Sequence, residues 1–227
     1  VRDDILQVRA PGLCFYVLRD SRGLYVIDGG FIGGRYLLSR ALKRRGWQHD
    51  PIKGILITHG HLDHVLNVTS LAKDSGAWIA APTLDRLHYE GRYPYKSYAR
   101  VCGLLEGIGR PLFRYAPFSV DRWLVDLSEI PIWHGLTAIH LPGHTEGHMG
   151  FYCPSLRLLF CADLFASYGN FPHLPPAIFN DNPELIPASV SRALSLDLEG
   201  VIPNHCDTSS PATHLARLRL LQQKNSG

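Results

Sequence analysis

No stretch of this 227-residue chain is apolar for long enough to cross a bilayer, and its start lacks the charge, apolar centre and small-residue cleavage site of a secretory signal. Cysteine is scarce as well. The five residues, Cys14, Cys102, Cys153, Cys161 and Cys206, are odd in number, scattered and without a C-x-x-C pair, so they read as reduced thiols buried as small apolar side chains. Cytoplasmic residence is the expectation, although a chain beginning at Val1 leaves a removed leader open. Excess charge is also thin. A formal net charge of +3 is too small to point to nucleic acid and leaves only a modest preference for anionic small molecules. Neither nucleic acid nor membrane is expected as a partner; a small-molecule substrate is, and a homodimer stays open. The glycines of Asp28-Gly29-Gly30 and Gly33-Gly34 match neither the P-loop nor the dinucleotide fingerprint, and read as a plain tight turn.

What is present is an ordinary globular composition, 45% apolar and 19% charged, long enough for one domain with a sizeable core or for two similar halves sharing one. Ile5 to Val8, Leu13 to Leu18 and Leu24 to Asp28 alternate as strands of a meander, with Asp20-Ser21-Arg22-Gly23 as a turn. A helix is predicted through Tyr36, Leu37, Leu38, Ala41 and Leu42, with Arg40, Lys43, Arg44 and Arg45 on its solvated face. Trp78 to Ala81 reads as a strand, and Pro82 as the start of a helix through His88.

The organising stretch is Thr58-His59-Gly60-His61-Leu62-Asp63-His64, which follows the apolar run Ile55-Leu56-Ile57 and precedes a helical segment, Val65 to Ser75. Two residues apart in extended chain, His59 and His61 share a face, so one ion can take both imidazoles. Asp63 and His64 diverge by about 100° at a helix start and suit a neighbouring ion. Three histidines and an aspartate in six residues are hard to explain as packing, because burying them unpaired is costly.

This H-x-H-x-D-H motif resembles the signature of the metallo-β-lactamase superfamily, which includes glyoxalase II-like thioesterases, lactonases, lactamases, phosphodiesterases and sulfur dioxygenases. The second half supplies Leu141-Pro142-Gly143-His144, Phe160-Cys161-Ala162-Asp163 and Ile202-Pro203-Asn204-His205, which look like the family's remaining metal motifs in order. The resemblance implies one ion on His59, His61 and His144, a second on Asp63, His64 and His205, and Asp163 bridging them. It implies a four-layer αββα sandwich of two similar halves as the fold of a single domain, residues 1–227; periodicity alone gives only layered α/β. The second half is expected to run through strands at Trp123-Leu124-Val125, Leu136 to Leu141, His148 to Cys153 and Arg157 to Cys161. A Pro-rich loop follows, then a helix from Pro183 to Ser195, a strand Gly200-Val201-Ile202 and a helix from Pro211 to Gln222. Ala162 and Asn204 stand where the family often has glycine, and the chain runs on too briefly after His205 for the helical domain with which glyoxalase II holds glutathione.

Residues 89–118 change character, with seven aromatics and interleaved Arg92, Lys96, Arg100 and Arg114. Most of the aromatics read as anchors for a connecting helix, and the stretch as a helical lid or insertion. Lys96 and Arg100, four apart, are expected to share a helix face and meet an anionic substrate group. Tyr168 is a candidate substrate contact in the Phe165 to Pro183 stretch, and His148 either orients a ligand or packs in a strand. Cys206 reads as a buried thiol; His49, His88, His134, His140, His173 and His214 carry no assigned role. Imidazole and carboxylate donors suit two Zn²⁺, with Fe or Mn open. The expected reaction is hydrolysis of a small-molecule ester, thioester, lactone or amide by a hydroxide bridging the ions, with Asp63 orienting the nucleophile or passing a proton to the leaving group. Two rivals remain: a mono-iron dioxygenase using His59, His144 and Asp163, and a binding protein that keeps the fold without turnover.

Overall fold

The computed structural model describes residues 2–92, 95–96 and 99–225; the expectations for Tyr93 and Tyr98 fall outside the described residues. The chain divides into two compact units, one of residues 1–94 with 103–124, the other of 95–102 with 125–227.

The first unit opens as the expected meander: β1 (Ile5–Ala10), β2 (Leu13–Asp20) and β3 (Gly23–Ile27), each antiparallel to the last. The chain then crosses over through α1 (Gly34–Arg45) to β4 (Ile52–Leu56), parallel to β3, because a parallel neighbour needs a long connection and a helix provides it. The basic residues of α1 are exposed, and Gly46 ends the helix at φ 77°, returning its N–H to the Leu42 and Lys43 carbonyls. Next come α2 (Leu62–Val65), α3 (Val68–Ser75), β5 (Trp78–Pro82), α4 (Arg86–Tyr89), α5 (Arg100–Leu112) and β6 (Arg122–Leu124). The sheet order is β1 through β6. Its middle strands read as unbroken apolar runs because both faces are covered, with Phe15, Val17, Val26, Ile55 and Ile57 buried against Leu38, Val65 and Val68.

Three expectations need correction here. The Trp123 strand was expected in the second half, yet it joins the first sheet beside β5, where Asp121 exchanges two hydrogen bonds with the Ile79 backbone and sets the pairing. The helix after the motif is two helices, because Asn67 turns its amide to the carbonyls of Gly29, Gly30 and Phe31 (2.7–3.0 Å). Pro82 both closes β5 and caps the 3₁₀ turn Thr83–Asp85 that runs on into α4, so the helix expected from Pro82 through His88 is present. Lys96 lies before α5, so it shares no helix face with Arg100; both are exposed.

The second unit holds β7 (Glu129–Ile130), β8 (Leu136–His140), β9 (Met149–Cys153), β10 (Leu158–Ala162), β11 (Ala166–Tyr168), β12 (Phe171–His173), α6 (Ile186–Leu194), β13 (Gly200–Pro203) and α7 (Pro211–Asn225). Its sheet runs β13-β10-β9-β8-β7, antiparallel except for β13 beside β10. Leu159, Cys161, Phe165 and Val201 are buried with Val190 of α6 and Leu215 and Leu218 of α7. The Pro-rich stretch expected as loop contains the β11/β12 hairpin, turned at Gly169 (φ 49°), whose N–H is held by Asp207. All five cysteines are buried thiols, and burial pushes Cys161 well above the usual thiol range, which keeps it protonated and unreactive. No helix among the described residues is long and apolar enough to cross a membrane.

Candidate metal centre

In the first unit the motif leaves β4 at its C-terminal end, the side of a parallel sheet where crossing helices leave room for ligands. His61 stays extended as the N-cap of α2 (φ −67°, ψ 147°), and its ring meets that of His59 edge-on at 4.8 Å. The His64 ring lies 4.0 Å from that of His59, and its Nε2 is 3.6 Å from Asp63 Oδ2. The adjacent pair therefore reaches a common point despite diverging along the helix. Gly60 between the first two histidines has no alternative, since a Cβ there would run into His88.

What fixes these rings is Asp28, which by its place in the sequence looks like part of a turn. Asp28, fully buried and at φ 65°, accepts from the Thr58 N–H (2.9 Å), the Thr58 hydroxyl and His64 Nδ1 (2.9 Å). A carboxylate only accepts, so His64 carries its proton on Nδ1 and its lone pair on Nε2. The Thr58 oxygen, 3.0 Å from His59 Nδ1, extends the same order to a second ring. One carboxylate thus sets the tautomers of two candidate ligands. The available signal was a lone Asp at the end of an apolar strand before Gly-Gly, which chemistry alone does not separate from a turn former.

In the second unit each candidate ligand also sits just past a strand. His144 Nδ1 meets Asn180 Oδ1 at 2.8 Å, and the Asn180 amide is oriented by the Pro175 carbonyl; its Nε2 therefore faces Asp163 Oδ2 at 3.4 Å. His205 Nε2 lies 3.0 Å from the same oxygen, its backbone tied by Ser167 N–H. Gly143 takes φ 130° with Ile186 packed where a side chain would be. His148 resolves in favour of positioning: Nδ1 donates to the Leu141 carbonyl (2.9 Å) and Nε2 accepts the Asp163 N–H (3.1 Å). It locks the loop that presents the carboxylate. Cys206 gives its thiol to the Pro203 carbonyl, as a buried thiol should. His214 is buried against the Ser167 hydroxyl at 2.7 Å; burial lowers the pKa of His88. Tyr168 is part-buried on β11.

The donor set tests well for a divalent cation. In each unit imidazole nitrogens and a carboxylate oxygen lie close together in a mostly buried setting, while the Nδ1–H groups of His64 and His144 are spent on outer acceptors, the arrangement that orients metal-binding histidines.

The Ala162 departure has a measurable consequence. Ala162 is fully buried at φ 48°, a conformation that costs an L-residue roughly 1–2 kcal/mol. Against that, Ala162→Gly loses a buried methyl, about 0.8 kcal/mol, and gains unfolded-chain entropy of roughly 0.5–1 kcal/mol. The effects nearly cancel, so urea unfolding of Ala162→Gly is expected within about 0.5 kcal/mol of wild type, whereas Ala162→Val, with a branched Cβ in the left-handed region, is expected to be strongly destabilised.

Comparison with known proteins gives the family and the fold. The profile of a family described as "Metallo-beta-lactamase superfamily" matches residues 11–205. Hydroxyacylglutathione hydrolase of Aeromonas hydrophila is 32% identical over 147 residues, 64% of this chain and 44% of that protein. Hydroxyacylglutathione hydrolase GloC of Haemophilus influenzae is 31% identical over 159 residues, 69% of this chain and 68% of that protein. The chain spans about half the length of the Aeromonas relatives it matches. A metallo-beta-lactamase family protein of Thermus thermophilus superposes with TM-score 0.73 at 18% identity, covering 98% of this chain and 78% of that one, which shows the fold.

Proposed function

We propose, from the premise that this chain belongs to the metallo-beta-lactamase superfamily, that it is a metal-dependent hydrolase of a small-molecule carbonyl ester, thioester, lactone or amide. The observation that carries this reading is Asp163 Oδ2 with two imidazole Nε2 atoms at 3.0 and 3.4 Å, a carboxylate placed to serve two cations. The proposed ligands are His59, His61 and His144 for one ion and Asp63, His64 and His205 for the other, with Asp163 common to both. Thioesters come first among the substrates because the relatives are named hydroxyacylglutathione hydrolases. Zn²⁺ comes first among the metals because the donors are imidazole and carboxylate without thiolate. Cytoplasmic residence goes with five buried thiols.

When bound, the ions supply Lewis acidity, lowering the pKa of water to about 7 and polarising the substrate carbonyl. The protein's own part is to hold and orient. Asp28 and Asn180 keep His64 and His144 in the tautomer that presents Nε2, and His148 holds the Asp163 backbone in place. Asp63, part-buried, is the carboxylate proposed to orient the nucleophile and pass its proton to the leaving group. Residues 89–118 are proposed as a lid of the single domain, and Tyr168 as a substrate contact.

The test is metal analysis of the purified protein followed by a substrate panel. The expected result is two divalent ions per chain, hydrolysis of a thioester or lactone, loss of turnover on chelation and recovery with Zn²⁺. One iron per chain with oxygen consumed on a persulfide would replace the hydrolase by the dioxygenase, and a metal-replete protein that hydrolyses nothing in the panel would leave a binding protein.

A further inference from the structure

Helix α5 is amphipathic with its polarity reversed. Its inner face carries the ion pair Glu106–Arg110, both side chains under 10% exposed. Its outer face carries Leu104 (67% exposed), Leu105 (54%), Ile108 (60%) and Leu112 (67%). At about 100° per residue these four fall within a single arc of roughly 100°, opposite the ion pair. A lone exposed leucine needs no explanation, but four large aliphatic side chains aligned on one helix face mark a surface that meets something apolar.

The charge around that face says what. Arg100 opens the helix, Arg114 follows it by two residues, and Arg92 and Lys96 precede it in the sequence; all four are exposed. The only acidic residue from 91 to 120 is Glu106, which is buried against Arg110. A row of aliphatic side chains with exposed cations before and after it in the chain complements an apolar layer edged with anions.

We propose that the outer face of α5 docks on an anionic phospholipid bilayer, lying in the headgroup plane with Leu104, Leu105, Ile108 and Leu112 turned into the acyl boundary. The lack of a spanning segment, which argued against a membrane partner, does not bear on a helix lying in the interface. A second copy of the chain fits less well, because antiparallel pairing of this face would set Arg100 against Arg114 of the other copy. A soluble acyl ligand fits less well too, since small molecules take concave sites and this face is the convex side of a helix. As exposed cations next to this helix in the chain, Lys96 and Arg100 thus take a role other than the substrate clamp expected of them.

The experiment is co-sedimentation of the full chain with phosphatidylcholine vesicles, with and without phosphatidylglycerol. It is independent of the metal centre and of turnover, so its failure leaves the hydrolase reading standing. Wild type is expected to pellet with the phosphatidylglycerol vesicles and to stay in the supernatant with phosphatidylcholine alone, with binding weakened by salt. Leu104→Asp with Ile108→Asp is expected to weaken binding roughly tenfold or more, and Arg114→Gln about fivefold, for one surface charge. All three positions are exposed, so the variants are expected to melt with wild type, and Arg114→Gln keeps the test decisive should the double variant fold poorly. The proposal is overturned if wild type ignores anionic vesicles, if both variants pellet like wild type, or if the face instead supports a concentration-dependent dimer that Leu104→Asp dissolves.

Discussion

Asp163→Ala is expected to purify with its metal content at background and with hydrolysis reduced by more than the roughly 10- to 100-fold typical of a residue standing behind the ligands. The reason is positional. Its Oδ2 is the point on which His144 Nε2 and His205 Nε2 converge within the second unit, at 3.4 and 3.0 Å, so its removal takes a donor from both proposed ions at once. Loss of any single histidine takes a donor from only one. Asp163→Asn keeps the shape and the backbone bond to His148 but removes the negative charge, and is expected to retain at most weak metal binding. The metal-free proteins provide the control for folding. Because the change deletes a carboxylate and leaves only a small cavity, wild type and Asp163→Ala stripped of metal should unfold at similar urea concentrations, so lost metal reports the site and not the fold. Undiminished metal content in Asp163→Ala would remove the bridging assignment and with it the proposed chemistry.

The sequence made some of this legible and hid the rest for physical reasons. His59, His61, Asp63 and His64 were readable because ligand chemistry is compressed into six residues after an apolar run, and His144, Asp163 and His205 because each follows a strand in the order the family resemblance required. The residues that hold these side chains were not readable. Asp28, Asn67 and Asn180 act over separations of more than thirty residues, and short polar side chains such as Asp and Asn look like turn formers or caps wherever they occur. The β6 strand was assigned to the wrong half because three residues with no alternation carry no information about which sheet they pair with; a hydrogen-bond pair at Asp121 decides it. The β11/β12 hairpin was lost among prolines for a related reason, since its strands are three residues each and are fixed from outside by Asp207 and Cys206. Helix α5 was expected somewhere in residues 89–118, but its reversed polarity is invisible to a count of apolar spacing: the same period describes a helix that buries its leucines and one that displays them.

The ion pair beneath that helix carries the second large expected effect. Glu106 Oε1 accepts the Leu62 N–H at 2.7 Å and Oε2 takes Arg110 Nε at 2.7 Å. Arg110 in turn donates to the carbonyls of His88 and Gly60 at 3.0 Å and lies over the Tyr115 ring. Tyr115, whose hydroxyl is pushed up to about 12 chiefly by burial, donates to the Tyr89 carbonyl. The pair thus ties α5 to the backbone on both sides of His61, at Gly60 and at Leu62. Glu106→Ala leaves the Arg110 guanidinium buried without its carboxylate and strands the Leu62 N–H, a change expected to cost about 3–5 kcal/mol, a large share of a total stability of roughly 5–15 kcal/mol. Glu106→Gln keeps an acceptor for Leu62 and is expected to fall between Glu106→Ala and wild type. Glu106→Leu combined with Arg110→Leu removes both charges, so its cost should be less than the sum of the two single changes, because only the double variant leaves no isolated ion in the interior. Urea unfolding of these variants reads the differences directly, and metal affinity should follow them, since the loop that presents His59 and His61 loses its anchor. A Glu106→Ala protein within about 1 kcal/mol of wild type would mean that water reaches Arg110, and that the motif loop is held by its own turn rather than by the helix across it.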